Sequence, residues 1–142
     1  MVPRLFKMHV YVVSVIIPLL DKFVGLKQML RVLTPPAWCE FYKGISIEKV
    51  CDVVADRLKN PVLMKRRKCL RQGFTLFHFL CLAGAPAVLR IGVFADKQYH
   101  KRTTAHCWVT CQGRSLSPEP QETVAVVLTH RKNTNLIRRE IA

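Results

Sequence analysis

The apolar positions change their period twice along the chain. Met8 to Leu20 is an almost unbroken apolar run, preceded by Arg4 and Lys7, interrupted by Pro18 and followed by Asp21 and Lys22. Phe23, Leu26, Met29, Leu30 and Leu33 then form a short amphipathic stretch, which Thr34-Pro35-Pro36 breaks. Ile47, Val50, Val54 and Leu58 recur at helical spacing, with Ser46 as N-cap and Asn60-Pro61 as the stop. A basic run follows, Lys65-Arg66-Arg67-Lys68. Cys69 then opens a long apolar helix carrying Leu70, Phe74, Phe77, Leu80 and Cys81, with Gly84 as its C-cap and Pro86 preventing continuation. From Ala87 the pattern becomes that of strands. Val88 to Phe94 reads as one, Asp96 to Thr104 as a basic loop, and Ala105 to Cys111 as a second strand. Gln112-Gly113 is its turn, Arg114 to Leu116 the returning strand, and Thr123 to Thr129 a last one. This order of helices followed by strands predicts an α+β domain with a small antiparallel sheet.

Length and charge refine that picture. The chain has 142 residues, enough for one domain with a short extension. The expected division is an apolar, helical N-terminal extension over 1–43, a domain over 44–129 and a loosely held basic tail over 130–142. The formal charge is +14, and half the residues are apolar, which argues against disorder. Residues 1–60 hold nine basic and five acidic side chains, whereas residues 61–142 hold fourteen and four. The C-terminal excess points to an acidic partner.

The apolar N-terminal run resembles the core of a signal peptide but lacks an Ala-x-Ala-like cleavage site. Its thirteen residues are too few to span a bilayer comfortably. A buried or interfacial segment is the expectation, with membrane contact as the alternative. Six cysteines, at 39, 51, 69, 81, 107 and 111, lie mostly within apolar runs and suit reduced, hydrophobe-like side chains. A reducing, cytoplasmic setting follows as the working expectation, with membrane association left open.

Two residues stand out chemically. A helix N-terminus carries partial positive charge and favours thiolate over thiol. Cys69 follows four consecutive cations and precedes Arg71, so it stands where a nucleophile would be placed. The plainer reading is a first core residue of an apolar helix. His106 lies on a strand after the cysteine helix, which is a thiol-protease layout. Strand alternation puts His106 and Trp108 on one face and Cys107, Val109 and Cys111 on the other. Its plainer reading is a hydrogen-bonded strand histidine.

The residues from about Ile45 to Pro120 carry a recognisable order. They comprise Arg66-Arg67-Lys68-Cys69-Leu70, an apolar helix closing at Gly84-Ala85-Pro86, and the strand Val88-Leu89-Arg90-Ile91-Gly92-Val93. Ala105-His106-Cys107-Trp108-Val109 follows, with Gly113 after it. This series resembles the transglutaminase-like cysteine peptidases of lasso-peptide biosynthesis, the B-type leader peptidases of the microcin-processing family. The resemblance implies a papain-like core in which a nucleophile helix packs on a small antiparallel sheet. It implies a Cys-His-acid triad that cuts the leader from a ribosomally made precursor. Cys69 matches the nucleophile and His106 the base. The family's acid stands about twelve residues after the histidine; that position is Pro118 here, so Glu119, one residue on, takes the role if the chain shifts register. Cys107 replaces the family's Ala. The resemblance further implies a small leader-binding protein of winged-helix type and a downstream cyclase as partners, and no cofactor. The Cys69 backbone N–H is a candidate oxyanion donor.

Competing chemistry is thinner. His106, His100, Cys107 and Cys111 do not supply four ligands at zinc-site spacing, so no metal is expected. The basic residues suffice for phosphate contacts, yet no nucleic-acid motif accompanies them. The alternative to an enzyme is a non-catalytic transglutaminase-like module whose basic face binds an acidic peptide, protein or nucleic acid.

Overall fold

The computed structural model describes residues 2–60, 68–94, 105–120 and 124–132. The basic residues Lys65 to Arg67, the whole loop expected over Asp96 to Thr104, and the tail beyond Lys132 lie outside them. Four helices come first: α1 (Arg4–Phe23), α2 (Leu26–Leu33), α3 (Ile47–Leu58) and α4 (Lys68–Leu82). Four strands follow: β1 (Ala87–Phe94), β2 (Ala105–Cys111), β3 (Arg114–Ser115) and β4 (Val124–Arg131). The strands form one antiparallel sheet in the order β3-β2-β1-β4. The architecture is the expected α+β.

α4 sits between the other helices and the sheet. It packs against β2 and β1 on one side and against α1 and α3 on the other. Phe74, Leu76, Phe77, Phe79, Leu80, Cys81 and Leu82 are all buried, so the C-terminal two-thirds of the helix is apolar on nearly every side, with half-buried His78 as the exception. Its end is a Schellman motif. Gly84 has φ +78, Ala85 N–H donates to Leu80 O at 2.9 Å and Gly84 N–H to Cys81 O at 3.2 Å. α3 begins as expected, with Lys49 N–H donating to the Ser46 hydroxyl at 3.4 Å. The β2–β3 hairpin turns on Gln112 and Gly113, both at positive φ, as a type I′ turn requires.

α1 continues through Pro18, although an interior proline costs a helix about 3 kcal/mol. Burial outweighs that. Phe6, Val10, Val13 and Ile17 enter the common core, each contributing about 1.5–3 kcal/mol. Phe6 stands edge-on to Phe79 and Tyr42, with centroids 5.4 and 4.8 Å away.

β4 runs two residues beyond its expected end at Thr129 and takes in His130 and Arg131, which the sequence assigns to the loose tail. His130 is buried beside Phe77, at 5.6 Å between centroids. The Thr34 hydroxyl already donates to the Leu30 carbonyl, so it accepts from His130 Nε2–H, at 2.8 Å. Lys132 follows as a clasp: its ammonium donates to the carbonyls of Cys39 and Cys81, both at 3.1 Å. These bonds tie the end of β4 to the α4 C-terminus and to the chain after α2. Across the sheet, β1 shifts register against β4 between Ile91 and Gly92. Gly92 is required there, because a Cβ would collide with Val124 Cγ1.

Candidate active site

Cys69 lies in the first turn of α4, half-buried, and its thiol donates to the carbonyl of Ala105 at 3.8 Å. Ala105 is the first residue of β2, and the helix reaches the strand through a close approach one turn further on. A Cβ at Gly73 would stand 2.5 Å from Cys107 Sγ and 3.5 Å from Leu89 Cδ1. Only glycine lets α4 lie this near to β2. Burial pushes the Cys107 thiol up strongly, and Cys69 beside it adds to the effect. Cys107 therefore stays protonated, an inert packing group against the helix.

His106 follows Ala105 and faces away from Cys107. Its ring stacks on Trp108, with centroids 5.9 Å apart and planes at 26°. Its Nε2–H donates to the Pro118 carbonyl at 2.9 Å. That partner fixes the tautomer: with the proton on Nε2, Nδ1 keeps a lone pair. The segment that delivers Pro118 is pinned along β2. Leu116 N–H donates to Val109 O, Val109 N–H to the Ser117 hydroxyl and the Ser115 hydroxyl to Ser117 O, each at 2.9 Å. Cys69 and His106 thus belong to the same end of β2, the thiol bonded to the peptide group just before the histidine. No hydrogen bond joins the sulfur to the imidazole directly in this state.

Glu119 does not meet the imidazole. The position twelve residues after His106 supplies a backbone carbonyl, and Glu119 is exposed beside it. The reason is geometric: Pro118 has a fixed φ, and the Ser117 bonds hold the preceding turn, so the carbonyl faces the ring. The Glu119 side chain instead lines a cavity of about 330 Å³ with Arg90, Trp108, Thr110, Gly113 and Pro120. Arg90 stands opposite Trp108 in the β1–β2 register, and its Nε is buried without a hydrogen-bond partner. The cavity adjoins the histidine's stacking partner and holds one residue of each charge.

The model of the transglutaminase-like superfamily matches residues 43–129, more than half of the chain, including Cys69, His106 and the sheet up to the last two residues of β4. The chain belongs to the transglutaminase-like superfamily. No curated protein and no solved structure matches it. The superfamily includes cysteine peptidases. In this chain a cysteine stands at the start of a core helix and a histidine on a strand that the helix packs against. All six cysteines are free. Among the described residues no group of three or more His, Cys, Asp or Glu side chains converges as a metal site, and His106 faces away from Cys107 and Cys111.

Within the transglutaminase-like domain, three contributors escaped the sequence reading. The Pro118 carbonyl gave no signal, because backbone acceptors are invisible in a residue string. Ser117 gave none either, since its role is to hold a turn through Val109 N–H. Gly73 did carry a signal, since a lone glycine inside an apolar helical pattern marks a close backbone approach.

Proposed function

We propose that this chain is a cysteine endopeptidase that removes the leader from a ribosomally synthesised lasso-peptide precursor. The observation that carries the peptidase reading is the oriented histidine: Nε2–H is held by Pro118 O, which leaves Nδ1 to take a proton on the end of β2 where the Cys69 thiol is bound. A neutral oxygen acceptor on the far nitrogen is the same device as the asparagine of Cys-His-Asn enzymes. The leader specificity rests on the resemblance of residues 45–120 and on the basic surface suited to an acidic peptide.

The chemistry runs in two halves. Nδ1 of His106 takes the thiol proton as Sγ attacks the carbonyl carbon at the leader–core junction. The carbonyl oxygen becomes an oxyanion facing the Cys69 N–H in the first turn of α4. The tetrahedral species collapses, the C–N bond breaks, and the imidazolium gives its proton to the departing amine of the core peptide. The leader remains as a thioester on Cys69. Water, deprotonated by His106, then cleaves the thioester and regenerates the thiol. A substrate-binding role is open to the Arg90 cavity, whose guanidinium can donate to a carbonyl or carboxylate of the bound peptide.

The test is a reconstituted mixture of this protein, a precursor peptide and the leader-binding partner, read by mass spectrometry. Release of an intact leader and core, lost when the leader sequence is scrambled, is the expected result. Binding of the precursor with no hydrolysis would favour the interaction-module reading instead.

A further inference from the structure

α1 buries one face and leaves a second apolar face uncovered. The core face is Phe6, Val10, Val13 and Ile17. The outer face is Leu5, Met8, Val12, Ile16, Leu19 and Phe23, which are 41–77% exposed. At about 100° per residue these six fall within an arc of about 80°, centred about 120° from the buried face. They form a continuous stripe along the whole helix. The exposed Tyr11 is excluded, since the Arg57 guanidinium covers its ring at 3.8 Å. No helix among the described residues is long and apolar enough to cross a membrane. The segment therefore has the length and asymmetry of a helix that lies on an apolar boundary.

Charge selects the boundary. Residues 1–33 carry Arg4, Lys7, Lys22, Lys27 and Arg31 against a single acid, Asp21. Arg4 and Lys22 are eighteen residues apart, about five turns, so they flank the same edge of the stripe at its two ends. Both are exposed, and Lys22 Nζ lies 5.8 Å from the Phe23 ring centroid. Cations with long aliphatic stems bordering an apolar stripe suit lipid headgroups above acyl chains. A whole-chain charge of +14 adds long-range attraction to an anionic surface. We infer that the outer face of α1 docks the protein on an anionic phospholipid bilayer, with the helix axis in the interface plane. The inference stands independently of the peptidase reading, because none of its residues belongs to the site on α4 and β2.

The experiment is cosedimentation of the full chain with vesicles of phosphatidylcholine alone and of phosphatidylcholine mixed with phosphatidylglycerol. Binding to the mixed vesicles, weakened by salt, is expected. The double substitution V12E/I16E should weaken it about tenfold or more by removing apolar insertion. Both positions are exposed, so circular dichroism and melting temperature should stay unchanged and separate docking from folding. No binding to anionic vesicles would overturn the inference, as would equal binding by the folded variant. So would a dimer in light scattering that V12E/I16E converts to monomer without lipid, since the stripe would then belong to a second copy.

Discussion

A carbonyl oxygen orients an imidazole by accepting its N–H, but it lacks the charge that stabilises imidazolium. His106 is in that situation, held by Pro118 O at 2.9 Å. The consequence falls on two neighbours. Glu119→Gln should leave the cleavage rate within about twofold, because the carboxylate is exposed and makes no bond to the ring. Ser117→Ala should lower it about fivefold, the equivalent of one lost hydrogen bond of about 1 kcal/mol, since Val109 N–H then loses its acceptor and the turn carrying Pro118 loosens. Steady-state assays of both variants check this ordering, and the reverse ordering would restore Glu119 to the triad. The cysteines make a second residue-scale prediction. Cys39, Cys81, Cys107 and Cys111 are buried, and burial pushes the Cys81 thiol up to about 12. Cys51 is raised by burial and by Asp52 and Glu48. Brief alkylation of the folded protein with iodoacetamide should therefore modify Cys69 alone, as peptide mapping would reveal. Cys69 and His106 stand out in the sequence as the proposed nucleophile and base because those roles fall to side chains. The orienting group does not, because it is a backbone oxygen delivered by a turn.

At the scale of elements, the site depends on how near α4 lies to β2. Gly73→Ala should destabilise the domain by about 1–3 kcal/mol, since the added methyl meets Cys107 Sγ and the helix-propensity gain of about 1 kcal/mol only partly offsets the clash. Adding Cys107→Ala should recover most of the loss, a coupling visible in a double-mutant cycle of urea midpoints. The Ser46 cap of α3, the Gly84 cap and the Gln112-Gly113 turn are legible because each depends on local chemistry. The path of α1 through Pro18 and the extension of β4 through His130 are not. Both are decided by distant partners: the α1 core face by Phe79 and Tyr42, and His130 by Thr34 and Phe77.

The whole molecule ties its two halves together with histidines kept neutral. His9 shares a hydrogen bond with the Tyr42 hydroxyl at 2.9 Å, His78 Nδ1–H donates to Leu33 O at 2.7 Å, and His130 meets Thr34. Burial holds all three below the usual histidine value. A lowered folded-state value means that the unfolded chain binds more protons as pH falls below about 6.5. Stability should be flat above that range and decline as pH drops through it towards the folded-state values. Urea midpoints against pH check the sign, and His78→Gln, which retains a donor for Leu33 O, should reduce the slope.

The central claim is that a thiol on α4 and an imidazole on β2 form one catalytic pair. The most direct measurement is the cleavage rate of the reconstituted precursor by Cys69→Ala and His106→Ala proteins shown to be folded by circular dichroism. Each should lose at least about 10³-fold in kcat, with no additive loss in the double variant. A folded Cys69→Ala protein that releases the leader at a rate near wild type would contradict it.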